Sequence, residues 1–218
     1  EEGKHTEEII LSATTVIKSP GIADKVAIIQ KIKEKQIPVI SEIEFGFRFS
    51  KAKIIAITGT NGKTTTTSLT YHILEKAGLD VGLGGNIGTS FARQVAEGDK
   101  EYFVLEISSF QLDNCTTFKP FISILCNITE DHLDRYDYKF ENYIRSKFSI
   151  TKNQDANDYF IYCQDDAVST EYFNMANSEV QKIPFSYHQK VSNGAYIENQ
   201  QLIIELNKKN FIMPTSEL

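Results

Sequence analysis

No stretch of this sequence approaches the roughly 20 consecutive apolar residues that a helix needs to cross a bilayer. Nor does a basic segment followed by an apolar one open it, as a secretory signal would. Cysteine is scarce: Cys115, Cys126 and Cys163 are odd in number, widely spaced, and form no C-x-x-C pair. That excludes a disulfide framework and a thiolate zinc site, and it fits buried thiols in a reducing compartment, so the cytoplasm is the expected location. Positive charge is also short. The 23 Lys and Arg against 29 Asp and Glu leave a net charge of −6, which argues against a general nucleic-acid or membrane-surface binder. Internal repeats and low-complexity segments are missing too. The initial Glu1-Glu2-Gly3 carries no methionine, and the expectation is a piece of a longer protein.

What is present is an ordinary globular composition, 41% hydrophobic and 24% charged over 218 residues. Residues 9–17 are β-branched and apolar and predict a strand, closed by Ser19-Pro20-Gly21. Asp24 is placed to cap a helix to about Gln36, with Ile28, Ile29 and Ile32 on one face. Residues 37–40 predict a short strand, and Ser41 caps a helix containing Glu42, Glu44 and Phe45. From Ala52 onward, apolar runs at 54–58, 102–107, 122–128 and 159–163 read as parallel strands buried on both faces. Helices are expected over 64–77, with Leu69, Ile73 and Ala77 at i, i+4, i+8, and near 88–97, 139–151 and 166–176. The tail (195–197, 201–206, 211–213) reads as antiparallel edge strands. The fold class is α/β: a mostly parallel, doubly wound sheet with helices on both faces and a small antiparallel edge, preceded by a βαβ-like remnant.

Gly59-Thr60-Asn61-Gly62-Lys63-Thr64-Thr65 follows a buried strand and opens a helix, the setting of a phosphate-binding loop. The glycines let the backbone approach phosphates, Lys63 can reach the β/γ-phosphates, and the Thr64 hydroxyl can hold Mg²⁺. The loop is a shortened variant, because Ile57 stands where the common pattern has glycine. Glu106 ends a buried strand on the rim where open α/β sheets bind ligands. Asp131-His132 follows another such strand onto the same rim, with His132 a candidate ligand and Asp131 placed to orient it. Lys147 lies on the apolar stripe Phe140, Tyr143, Ile144, Phe148, so it points inward, for a ligand, a buried ion pair or a modification, unless its stem snorkels out.

Six ordered blocks resemble one family: Val16-Ile17-Lys18-Ser19-Pro20-Gly21-Ile22, Ser41-Glu42-Ile43-Glu44, the loop at 59–65, Gly85-Asn86-Ile87-Gly88, Glu106-Ile107-Ser108-Ser109-Phe110-Gln111-Leu112, and Asn127-Ile128-Thr129-Glu130-Asp131-His132-Leu133-Asp134-Arg135-Tyr136. They resemble the Mur ligases, ATP-dependent amide-forming enzymes of peptidoglycan precursor synthesis. The Ser-Pro-Gly-Ile and Ser-Ser-Phe-Gln-Leu blocks are similar to the branch that adds D-glutamate to UDP-N-acetylmuramoyl-L-alanine. Other Mur-type ligases and folylpolyglutamate synthase share the loop and the histidine block, and a simple nucleotide-binding module would share the loop alone.

The resemblance implies roles for matching positions. Gly59, Thr60, Asn61, Gly62, Lys63, Thr64 and Thr65 would bind ATP. Thr64, Glu106, His132 and a carbamylated Lys147 would hold two Mg²⁺, with Lys63, His132 and Lys147 catalytic. Ser19, Gly21 and Asn86 would meet UDP-N-acetylmuramoyl-L-alanine. It implies an acyl phosphate that the amine of D-glutamate attacks, in a monomer working without nucleic acid or membrane. Residues 1–50 would be the end of a UDP-sugar-binding domain. Residues 51–218 would be a central ATP-binding domain lacking its last part, so the 218 residues by themselves are not expected to ligate.

Overall fold

The computed structural model describes residues 5–217. The opening Glu1-Glu2-Gly3 and the terminal Leu218 lie outside the described residues. The expected strand over 9–17 is mostly something else: α1 (Glu7–Ile10) is a single helical turn, and only β1 (Val16–Ile17) is extended. Glu7 and Glu8 fill the first turn of α1, where free backbone N–H groups favour negative charge. No residue of α1 is buried, so the apolar pattern of this segment has no sheet to serve. α2 (Ala27–Glu34) buries Ile29 and Ile32 as expected, but it starts after Val26. Asp24 does not cap it and pairs with Lys18 and Lys33 instead. β2 (Val39–Ile40) lies parallel to β1, completing a small βαβ unit. In α3 (Glu42–Phe47) the Ser41 Oγ accepts the Glu44 N–H at 3.2 Å, the predicted cap.

The main body follows in regular alternation: β3 (Lys53–Thr58), α4 (Lys63–Lys76), β4 (Val81–Gly85), α5 (Phe91–Glu97), β5 (Tyr102–Glu106), α6 (Ser109–Leu112), β6 (Ile122–Leu125), α7 (Phe140–Phe148), β7 (Tyr159–Cys163), α8 (Ala167–Glu171), β8 (Gln181–Ser186), β9 (Ala195–Glu198), β10 (Gln201–Leu206) and β11 (Lys209–Pro214). They form a nine-stranded sheet in the order β11-β10-β9-β8-β7-β6-β3-β5-β4. Pairing is parallel from β4 to β9 and antiparallel from β9 to β11; the parallel β3, β5, β6 and β7 and the antiparallel tail are as expected, while β4 and β8 are strands the sequence reading did not include, and β9 pairs in parallel with β8.

On one face, Ile54, Ala56, Phe103 and Leu105 pack against Ile43 of α3 and Phe91 of α5. The same face continues through Leu125 and Phe160 to Tyr143, Ile144 and Phe148 of α7. On the other, Ile55, Ile57 and Val104 meet Tyr71 and Leu74 of α4. α4 is therefore rolled relative to expectation. Thr67, Tyr71 and Leu74 face the sheet, while Leu69 and Ile73 are each 57% exposed.

Candidate functional site

The phosphate loop is built by two glycines and by its neighbour loop. Gly62 caps α4 in the left-handed region at φ 81°, a conformation that disfavours a side chain. Gly59 sits so close to the chain after β6 that an added Cβ would lie 2.9 Å from Cys126 Cβ. Asn127 then ties the loop down. Its Oδ1 accepts the Asn61 N–H at 2.9 Å, its Nδ2 donates to the Asn61 carbonyl at 3.0 Å, and its own carbonyl accepts the Thr60 N–H at 2.9 Å. The Thr60 hydroxyl donates to the Thr129 carbonyl and accepts the Thr129 N–H, at 3.1 and 3.0 Å. Asn61, Gly62, Thr64 and Thr65 remain exposed, leaving the helix N-terminus open to a ligand. Lys63 Nζ folds back and donates to the Gly59 and Thr60 carbonyls at 2.9 and 2.8 Å.

Glu106 ends β5 as expected and is 2% exposed. One carboxylate oxygen accepts the Thr64 hydroxyl at 2.7 Å, and the other accepts Asn86 Nδ2 at 2.9 Å. A second tie fixes Asn86, whose N–H donates to the Glu106 carbonyl at 2.8 Å. The structure thus brings three predicted residues, from α4, β5 and the loop after β4, onto one carboxylate. A hydroxyl beside a carboxylate at the mouth of a phosphate loop is an oxygen donor set of the type Mg²⁺ takes.

Lys147 points inward, and its stem does not snorkel: it is 2% exposed. Its Nζ donates to the Gly59 carbonyl at 2.7 Å and stands 4.5 Å from the centre of the Tyr143 ring. Burial, together with the nearby Lys63 charge, lowers its pKa from the usual lysine range to about 7. A large share of this amine is therefore neutral near neutral pH, the form that adds CO₂. Ser146, which the stripe places elsewhere, is buried too. Its hydroxyl accepts from Tyr136 at 3.3 Å and donates to the Ser109 carbonyl at 3.0 Å.

His132 follows β6 onto the rim in the left-handed region (φ 51°), with its ring against Phe110. Asp131 accepts its backbone N–H at 2.8 Å and lies 3.5 Å from its Nε2, so the pairing of acid and imidazole is present. Among the described residues no group of three or more His, Cys, Asp and Glu side chains is placed to hold a metal, so Glu106 and His132 do not form a closed cage. Ser19 and Gly21 are exposed on the loop after β1. Arg135 holds that loop to the rim, donating to the Pro20 and Ile22 carbonyls at 3.3 and 3.4 Å. The three thiols are free and half-buried rather than fully buried.

The model of the Mur ligase middle domain matches residues 57–217. The chain belongs to the Mur ligase family. UDP-N-acetylmuramoylalanine–D-glutamate ligase of Christiangramia forsetii is 56% identical over 218 residues, all of this chain and 49% of that protein. The relative of the same name in Bacteroides fragilis is 52% identical over 204 residues, 94% of this chain and 46% of that protein. The chain thus spans about half the length of the curated relatives it matches. Among solved structures, a UDP-N-acetylmuramoyl-L-alanyl-D-glutamate–2,6-diaminopimelate ligase matches with TM-score 0.63 at 16% identity, covering 92% of this chain and 55% of that one. The MurF ligase of Thermotoga maritima in complex with ADP matches with TM-score 0.55 at 17% identity, covering 94% and 58%. At that identity the likeness shows the Mur ligase fold.

In this Mur ligase domain, sequence reasoning gave no site role to Asn127, Tyr143 or Arg135. Asn127 had a usable signal, an amide just past a buried strand and facing a glycine loop. Tyr143 read as apolar core, yet its hydroxyl also sits 3.3 Å from Thr60 Oγ1. Glu44 read only as a helix residue. It is fully buried and accepts the backbone N–H groups of Thr116, Thr117 and Phe118, both threonine hydroxyls and Arg48 Nε.

Proposed function

We propose that the chain is the nucleotide-binding part of an ATP-dependent ligase that joins D-glutamate to UDP-N-acetylmuramoyl-L-alanine through an acyl phosphate. The observation that carries this reading is the Glu106 carboxylate clasping Thr64 and Asn86 at the loop mouth, with the buried Lys147 amine beneath Gly59. The names of the relatives at 56% and 52% identity supply the amino acid and the acceptor.

In this reading residues 51–218 hold ATP, and residues 1–50 end the domain that holds the UDP-sugar. Backbone N–H groups of 59–65 cradle the phosphates, and Lys63, on leaving the Gly59 and Thr60 carbonyls, neutralises charge on the transferred group. Mg²⁺ at two positions would neutralise the phosphate oxygens, held by Thr64 and Glu106 at one and by His132 and a carbamylated Lys147 at the other. Addition of CO₂ to the neutral Lys147 amine, with loss of one proton, would leave a carbamate anion able to bind a metal. Asn86 orients the muramoyl-alanine carboxylate, and Ser19 and Gly21 line its UDP end. The enzyme works as a cytoplasmic monomer.

The test is a trap. The full-length polypeptide is incubated with ATP, Mg²⁺ and UDP-N-acetylmuramoyl-L-alanine without D-glutamate, then quenched with borohydride. Recovery of the muramoyl-alaninol confirms the acyl phosphate; ADP formation with no reduced product rejects it.

A further inference from the structure

The first segment is fastened to the main body unevenly. Around α3 the ties are many: Glu44 accepts the N–H groups of Thr116, Thr117 and Phe118, Glu42 accepts the Ser90 hydroxyl, and the Ser41 N–H donates to the Asn114 carbonyl. The loop after β1, with Ser19 and Gly21 exposed on it, is held differently. Asp24 pairs with Lys18 and Lys33, both of the same segment. Among the described residues, the hydrogen bonds that join 19–26 to the main body come from Arg135 alone. One of its guanidinium nitrogens donates to the Pro20 and Ile22 carbonyls at 3.3 and 3.4 Å.

Arg135 is itself supported. Its guanidinium carbon stands 4.3 Å from the centre of the Phe110 ring, the contact a planar cation makes with an aromatic face. The Phe110 ring also lies 5.2 Å from the His132 imidazole and is stacked 5.9 Å from the Tyr136 ring. Tyr136 meets Tyr143 at 5.4 Å, and the Lys147 amine stands 4.5 Å from the Tyr143 ring. A continuous run of side chains therefore joins the loop of Ser19 and Gly21 to both His132 and Lys147. The turn that carries Arg135 is fixed as well. His132, Asp137 and Tyr138 hold left-handed backbone around it, at φ 51°, 55° and 54°, which non-glycine residues keep where their surroundings impose it.

We infer that Arg135 is a positioning residue: it seats the 19–22 loop on the Phe110–His132 pair, so that the UDP end of the substrate and its reacting carboxylate are held at one fixed separation. The inference rests on the ligase reading for the identity of that substrate, while the brace is present in the chain without it. A reaction at one end of a long substrate draws on binding at the other end only when the two binding parts are fixed relative to each other. α3 cannot supply this, because its ties lie on the far side of β2 from the loop.

The experiment compares the full-length polypeptide with its Arg135→Met variant in two readouts. The first is hydrogen exchange without substrate. The Ile22 and Val26 N–H groups, bonded to the Ser19 and Ala23 carbonyls, should exchange about tenfold faster in the variant, with α3 unchanged. The second is steady-state kinetics. The KM for UDP-N-acetylmuramoyl-L-alanine should rise about tenfold, with kcat within about threefold of wild type and the KM for ATP unchanged. Unchanged exchange would overturn the inference, whatever the KM, because Arg135 would then touch substrate directly or do nothing. A fall in kcat with KM unchanged would also overturn it, placing the effect at His132 alone. Should Arg135→Met fail to fold, Arg135→Lys keeps the stem on Phe110 without the planar fork and should show both changes at about threefold. Wild-type behaviour of that variant in either readout would contradict the inference. A wild-type polypeptide that does not use D-glutamate would sink the ligase reading, and the exchange readout would still judge the brace.

Discussion

Thr64 Oγ1 donates to Glu106 Oε2 at 2.7 Å, so the hydroxyl that opens α4 and the carboxylate that ends β5 act as one unit. Residues that work as a unit are not additive when removed. Thr64→Val and Glu106→Gln are each expected to lower kcat/KM of the full-length enzyme by about 100-fold. The double variant should lose little more than either single one. Steady-state kinetics of the three variants checks this, and multiplicative losses would show that the two groups act separately.

Lys147 makes activity and stability depend on pH in a stated direction. Its pKa falls from 10.5 to about 7 in the folded chain, because burial disfavours the ammonium. Between about 7 and 10.5 the unfolded chain holds a proton that the folded one has shed, so stability rises with pH across that window. Lys147→Met should flatten this slope in denaturant titrations. Lys147→Ala should abolish activity, and short carboxylic acids should restore part of it by standing in for a carbamate. Uptake of ¹³C-labelled CO₂ by the wild-type protein, seen as one carbamate resonance missing in Lys147→Ala, would place the modification.

Glu44 ties α3 to the loop between α6 and β6 and sets the acid limit. Burial alone would raise its pKa, but the hydrogen bonds from Thr117, Thr116 and Arg48 overcome this and hold it at about 2, below the usual 4.5. Its contribution is fully present above about 4.5 and is lost as pH falls through about 2. Glu44→Ala strands three backbone N–H groups and should cost about 3 kcal/mol at neutral pH. Thermal unfolding of wild type and variant at neutral pH tests the cost. Unfolding titrations from pH 5 downward test the window.

Asn127 should show itself in nucleotide affinity. Asn127→Ala removes both bonds to Asn61 and frees the loop to fluctuate, with an expected rise in the ATP Kd of about tenfold. Isothermal titration measures it directly. An unchanged Kd would mean that the Thr60–Thr129 pair and the Asn127 backbone carbonyl hold the loop without the Asn127 side chain.

Much of this arrangement is legible from residues alone, and the exceptions have physical causes. Buried parallel strands announce themselves as apolar runs, which is why β3, β5, β6 and β7 are found. β4 is hidden because three of the five residues in Val81-Gly82-Leu83-Gly84-Gly85 are glycine, which is depleted in strands. Its glycines are demanded by packing, since a Cβ on Gly82 would lie 2.3 Å from the Phe103 ring. β8 is hidden by Pro184, tolerated because it stands just before the short pairing of Phe185 and Ser186 with β9. The rim residues Lys63, Glu106 and Lys147 are legible because charge at a strand end or on an apolar stripe needs a reason. The orientation of α4 is not, because Leu69 and Ile73 form an apolar stripe that faces away from the sheet of this chain. Periodicity marks which residues want burial; it does not say against what.

The central claim is D-glutamate transfer to a muramoyl-alanine acyl phosphate, and phosphate release by the full-length polypeptide tests it most directly. With ATP, Mg²⁺ and UDP-N-acetylmuramoyl-L-alanine present, release should depend on D-glutamate, and L-glutamate, lysine and diaminopimelate should not replace it. Equal or greater release with one of those amino acids, or release that needs no amino acid at all, would contradict the account.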